Sequence, residues 1–169
     1  MHVPMEPLEC RVLSSARKHA LLAFLNDLSE AHETEYFYPH PFTEDALEGI
    51  IRTAGKDLYY VLCEGNSVVG YGMLRGWDEG YEIPSLGIAI HPAARNAGLG
   101  KALMHFLHGA ARRRGASKVR LRVKAQNTRA MKLYQDLGYV FGPEEQGFLV
   151  GFLQLDRTRS ALGAAIPIF

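Results

Sequence analysis

The sequence has little cysteine, little tryptophan and almost no net charge: two cysteines, Cys10 and Cys63, one tryptophan, and a formal charge of +1. Two cysteines cannot build a disulfide framework or a zinc-finger spacing, so both thiols are read as reduced and structural. A charge this close to zero removes the electrostatic case for nucleic acid as the main partner. No apolar run approaches the roughly 20 residues of a membrane-spanning helix. The opening stretch, "MHVPMEPLECRVL", lacks the basic-then-apolar pattern of a secretion signal. These absences together give the expectation of a cytoplasmic protein with no membrane partner.

What is present is the composition of an ordinary globule, 47% hydrophobic and 22% charged over 169 residues, enough to bury one core without staples. Leu8 to Leu13 reads as a first strand. Ser14 or Ser15 then caps a helix whose apolar face is Ala16, Ala20, Leu21, Phe24, Leu25 and Leu28. Pro39 and Pro41 interrupt the aromatic stretch that follows. Thr43 caps a second helix with Ala46, Leu47, Ile50, Ile51 and Ala54 inward, ended by Gly55. Two β-rich segments joined at Gly65-Asn66 read as an antiparallel hairpin.

The strand "SLGIAIH" (Ser85 to His91) follows, then a helix with Leu99, Leu103, Phe106, Leu107 and Ala110 on one face. Lys101, His105, His108 and Arg112 fall on the other, so the histidines are expected in solvent rather than on a metal. Gly115 caps that helix. Strand "KVRLRVKA" turns Val119, Leu121 and Val123 to one face and Arg120, Arg122 and Lys124 to the other. A helix from about Asn127 to Leu137 ends at Gly138, and "GFLVGFLQL" is a last strand. The pattern predicts one α/β domain, residues 1–169, with a mixed sheet; the tail 157–169 has no assignment.

One stretch departs from ordinary helix chemistry. In "IAIHPAARNAGLGKAL" a helix opens with Gly98, Gly100 and Lys101, although glycine costs about 1 kcal/mol against alanine in a helix. The dipole also disfavours a cation at that end. Without side chains there, a bulky anion can approach the unpaired amides of the first turn, with Arg95 and Lys101 adding charge. Alternatively Asn96 caps the helix and the glycines only relieve crowding. Two familiar phosphate motifs are absent: there is no G-x-G-x-x-G, and in the register of G-x-x-x-x-G-K-[ST] the first glycine is Arg95 and the last residue is Ala102. Neither a nucleotide triphosphatase nor a dinucleotide oxidoreductase fits.

"RNAGLG", Arg95 to Gly100, and "NTRAMKLYQDLGY", Asn127 to Tyr139, stand in the right order with a strand between them. They resemble the R/Q-x-x-G-x-G/A and N-x-x-A-x-x-L-Y-x-x-x-G-F/Y signatures of the GNAT superfamily of N-acetyltransferases. The resemblance is carried by a core of about residues 85–139. It implies a GNAT-like, largely antiparallel mixed sheet flanked by helices. It implies acetyl-CoA as cosubstrate, no metal, and acetyl transfer to a primary amine in a ternary complex. By this resemblance the amides of Asn96, Ala97, Gly98, Leu99, Gly100 and Lys101 with Arg95 would hold the pyrophosphate. Ile88, Ala89 and Ile90 would offer backbone to the pantetheine arm, and Asn127 would hydrogen-bond the cofactor. Tyr134 falls on the position of the general acid.

Some members of the family place a glutamate base five residues before the asparagine; this chain has Arg122 there. Glu82 and Glu79, in the loop before the strand Ser85 to His91, are the nearby candidate bases, with a water chain as the alternative. The acceptor is expected between the first two helices, the loop before the glycine strand and the chain's end. There "EYFYPHPF" and "WDEGYEIP" supply aromatics and acids. Peptide amine, polyamine, amino sugar and amino acid all stay open. A non-catalytic acyl-CoA sensor of the same fold is the alternative function. The hairpin edges and the tail "AAIPIF" could support a homodimer.

Overall fold

The computed structural model describes residues 6–155; the expectations about the tail 157–169 lie outside the described residues. The elements run β1 (Leu8–Val12), α1 (Lys18–Glu30), α2 (Glu44–Thr53), β2 (Leu58–Glu64), β3 (Ser67–Arg75), β4 (Ser85–Ile90), α3 (Leu99–Arg113), β5 (Lys118–Lys124), α4 (Thr128–Asp136), β6 (Val140–Phe141) and β7 (Phe148–Gln154). Single 3₁₀ turns stand at Ser15–Arg17, Glu33–Glu35 and Pro92–Ala94. One seven-stranded sheet has the order β1-β2-β3-β4-β5-β7-β6. Every neighbouring pair is antiparallel except β4 and β5. The expected architecture, a largely antiparallel mixed sheet flanked by helices, is the one observed.

The hairpin turns as its sequence requires: Glu64 pairs with Ser67 across Gly65-Asn66, with Gly65 at φ 58°. β3 is buried from Val68 to Leu74 because both of its faces are covered, so it reads as a continuous apolar run instead of an alternation. On one face, Leu21, Phe24, Leu25 and Leu28 of α1 and Leu47 of α2 pack on Val61, Tyr71 and Met73. On the other, Leu103, Met104, Leu107 and Ala111 of α3 and Tyr134 of α4 pack on Leu74, Leu86, Val119, Leu121 and Val123. A Cβ at Gly72 would lie 2.9 Å from a Leu107 methyl, so the bare backbone of β3 sets how closely α3 approaches. Cys10 and Cys63 fall into opposite core layers, consistent with two structural thiols. Among the described residues no helix is long and apolar enough to cross a membrane.

Several local expectations change. Ser14 makes no capping bond, and a 3₁₀ turn separates it from α1. Thr43 does cap α2, accepting from the Ala46 amide at 3.2 Å. α2 ends at Thr53, and Asp78 takes the amides of Gly55, Lys56 and Asp57, tying the end of the helix to the loop before β4. β6 is a two-residue strand that the sequence pattern does not announce.

The largest correction concerns α3. Its buried stripe is Leu103, Met104, Leu107, His108 and Ala111, whereas Phe106 is 43% exposed and stands edge-on to Tyr60. His108 is therefore not a solvent residue. It is 3% exposed, and its Nε2 lies 2.8 Å from the Tyr139 hydroxyl. The i, i+4, i+8 row Leu103–Leu107–Ala111 places its neighbours 104 and 108 inward as well. The cost of burying an imidazole is met by a tyrosine delivered from beyond Gly138. Burial holds His108 down at about 4, so the ring is neutral.

Candidate active site

β4 and β5 meet only at their beginnings. Ser85 pairs with Arg120, and the Arg120 amide donates to Pro84 at 3.0 Å. Beyond that junction the strands part, and a cavity of about 310 Å³ opens between them. Gly87, Ile88, Ala89 and Ile90 form one wall; Arg122, Val123, Asn127, Ala130, Leu133 and Tyr134 form the other. Arg95, Asn96, Gly98, Leu99, Gly100 and Lys101 close one end, and Glu33, Tyr36 and Phe37 lie over the opening from the segment between α1 and α2.

The glycine stretch does not receive a side-chain cap. Gly98 takes the N-cap place at φ 80°, a left-handed conformation that glycine adopts without penalty. Asn96 is also left-handed, at φ 63°, and makes no capping bond. By contrast α2 and α4 are capped by Thr43 and Asn127. The first bond into the helix turn runs from the Ala102 amide to the Gly98 carbonyl at 3.0 Å. The amides of Leu99, Gly100 and Lys101 thus have no backbone acceptor among the described residues, and all three residues line the cavity. A Cβ at Gly98 would find no protein atom within 4 Å beyond its two chain neighbours. The glycine there is not relieving a crowded contact.

Arg95 is held from both sides. Its Nε donates to the Ile90 carbonyl at 3.1 Å and its guanidinium to Glu33 at 2.9 Å. Arg129 stands 3.9 Å from the same carboxylate. The Arg95 bond holds the Glu33 carboxyl below the usual range against the opposing effect of burial. Glu33 is a site residue that sequence reasoning missed, because nothing local pairs it with a loop so far along the chain. Asn127 spends its side-chain oxygen on the Ala130 amide at 3.3 Å, which leaves its NH₂ for the cavity.

Tyr134 lines the cavity and is 8% exposed, its ring 5.7 Å from that of Tyr139. No hydrogen bond among the described residues occupies its hydroxyl. Burial pushes the phenol up to about 12, so it carries its proton throughout the physiological range. Ala97 lies within the loop without lining the cavity, and Glu82 lies exposed in the loop before β4, outside the lining. Of the aromatics between α1 and α2, Tyr36 and Phe37 reach the cavity, while Tyr38 and Phe42 pack on each other at 5.0 Å. Among the described residues no group of three or more His, Cys, Asp or Glu could hold a metal.

A second, wider cavity of about 880 Å³ lies on the outer face of β5 and β7, bounded by Val140, Phe141 and the turn from Gly142 to Gln146. Arg122 belongs to both cavities, and its guanidinium lies over the Phe148 ring at 3.5 Å.

A family model described as the Acetyltransferase (GNAT) family matches residues 22–139. Solved structures share the fold at low identity. An acetyltransferase of the GNAT family from Streptococcus pneumoniae is 20% identical with a TM-score of 0.74, covering 88% of this chain and 99% of that one. A putative acetyltransferase from Salmonella typhimurium, with its cofactor acetyl-CoA, is 20% identical at a TM-score of 0.70 (94% and 99% covered). The PaiA N-acetyltransferase from Thermoplasma acidophilum, in complex with coenzyme A, is 15% identical at 0.74 (88% and 99% covered). The match covers well over half of the 169 residues and spans the parted strands, the uncapped glycine turn and Tyr134: the chain belongs to the Acetyltransferase (GNAT) family.

Proposed function

We propose that the protein is an acetyl-CoA-dependent N-acetyltransferase that moves the acetyl group directly to a primary amine within a ternary complex. The observation that carries this reading is the start of α3, an uncapped helix end with open space at Gly98. It sits at the mouth of a cleft whose β4 wall has an unpaired backbone edge beyond Ser85. Bare amides at a helix N-terminus suit a pyrophosphate, and a free strand edge suits the amide-bearing pantetheine arm. That two structural relatives are solved with acetyl-CoA or coenzyme A supports the assignment.

In this reading Asn96 to Lys101 bind the pyrophosphate, and the β4 backbone at Ile88, Ala89 and Ile90 orients the arm. The bound cosubstrate supplies an activated acetyl thioester. Tyr134 holds a proton on its hydroxyl for the departing sulfur. A phenol at about 12 is a weak donor to a thiolate in water, but the same dry walls that raise the phenol raise the thiolate. The amine must lose a proton to become a nucleophile; that proton passes to solvent by way of Glu82, exposed in the loop before β4.

Calorimetric titration with acetyl-CoA tests this directly. Saturable binding to the wild type, lost in Gly98→Glu, is expected, since a carboxylate at that position blocks the turn by bulk and charge. No binding to the wild type would overturn the reading. Steady thiol release with an amine distinguishes an enzyme from a non-catalytic acyl-CoA sensor.

A further inference from the structure

The acids of the 3₁₀ turn over the cleft opening are already spoken for. Glu33 pairs with Arg95 and faces Arg129, and Glu35 pairs with Lys124 at 2.8 Å. Arg122, by contrast, has no carboxylate within ion-pair distance among the described residues, and neither has Arg120, two residues earlier on the same strand face. Among the residues that line the cavity, the charge left without a partner on this side is positive. Such a site disfavours the polyamine that the abundance of acids in the sequence would suggest.

The register locates that charge along the cleft. Ser85 pairs with Arg120, so Arg122 is level with Gly87, two residues inside the junction. The glycine turn follows the far end of β4, a further three residues or about 10 Å along the strand. Arg122 therefore stands at the thioester end of the cleft, away from the phosphates. It is exposed, and it is the residue through which the cleft adjoins the wider cavity against Phe148, Val150 and Phe152. Stacking on Phe148 fixes the guanidinium plane and leaves its edge N–H groups to donate. A planar fork held in this way matches a carboxylate, which it can bind through two parallel hydrogen bonds. Glu145 on the far wall of the wider cavity disfavours a second anionic group deeper in.

Resting on the acetyltransferase reading above, we propose that the acceptor is a small amine bearing a carboxylate, an amino acid, whose carboxylate is bound by Arg122 while its amine faces the thioester. The amine nitrogen bonds to the acetyl carbon as the carbon–sulfur bond breaks. The sulfur leaves with the Tyr134 proton, which solvent later restores, the proton of the amine passes to solvent, and the carboxylate is unchanged.

The experiment is thiol release at saturating acetyl-CoA with a panel of amino acids, each beside its own carboxamide. For at least one amino acid, kcat/KM should exceed that of its amide by about ten- to a hundredfold, mainly through KM. Arg122→Gln should abolish the difference and Arg122→Lys should restore part of it. Calorimetry with acetyl-CoA on the same variants checks that the cleft is intact. Equal rates for acid and amide would overturn the proposal. So would a preference that survives in Arg122→Gln, a polyamine, amino sugar or peptide outrunning every amino acid, or a wild type that binds acetyl-CoA yet accepts none of the panel. A wild type that does not bind acetyl-CoA overturns the acetyltransferase reading itself, and this proposal with it.

Discussion

Arg95 and Glu33 meet at 2.9 Å although 62 residues separate them, and their side chains are only 16% and 20% exposed. The pair fastens the segment between α1 and α2 to the turn that opens α3, tying one side of the cleft opening to one end of the cleft. Glu33→Gln should cost about 1 kcal/mol of stability, the scale of a charge-assisted bond that is still partly solvated. It should also tighten acetyl-CoA a few-fold at low salt, because the loop regains a full positive charge. Denaturation midpoints and salt-dependent titrations check both. The Glu33 carboxyl is held below its ordinary range, so this stabilisation is present above that range and is lost as pH falls through the lowered value.

Gly98→Ala separates backbone from bulk. A left-handed alanine costs about 1 kcal/mol, and the added methyl meets no protein atom within 4 Å beyond its two chain neighbours. Stability should fall by that amount, while acetyl-CoA affinity falls further, by about tenfold, as the methyl intrudes on the anion's space. An unchanged affinity would separate the glycine from phosphate binding.

Tyr134→Phe should lower kcat by roughly ten- to a thousandfold with acetyl-CoA affinity kept. With the phenol held up at about 12, the wild-type kcat/KM should rise with pH as the amine deprotonates. It should show no descending limb through pH 10. A limb near 8 or 9 would mean that another group supplies the proton.

His108 predicts the acid limb of stability. Its pKa is lowered by burial, then by His105 and Arg112, to about 4, against an ordinary 6.5. The unfolded chain therefore takes up a proton below about 6.5 that the native state refuses until about 4. Stability is fully present above 6.5 and declines across that window. A His108→Leu, Tyr139→Phe double variant, which leaves neither polar group orphaned, should flatten the decline in thermal melts between pH 6.5 and 4.

Legibility followed distance along the chain. The β2–β3 hairpin, the cap at Thr43 and the stripe Val119–Leu121–Val123 are set by residues within a turn or two of each other, and periodicity finds them. His108 was misassigned because a helical wheel drawn by residue type puts histidine outside; only Tyr139, arriving from beyond Gly138, makes its burial tolerable. Glu33 was missed because its meaning is its partner.

The sequence by itself determined the order of the elements apart from β6, the glycines at the start of α3 and the place of Tyr134 on its helix, since each depends on local backbone preference and 3.6-residue periodicity. Only the tertiary structure decided that β4 and β5 part after one pair, that Glu33 and Glu35 are neutralised by Arg95 and Lys124, and that Arg122 stands uncompensated where two cavities join. Charge balance at a site is a sum over neighbours brought from distant segments, and that sum exists only once the chain has folded.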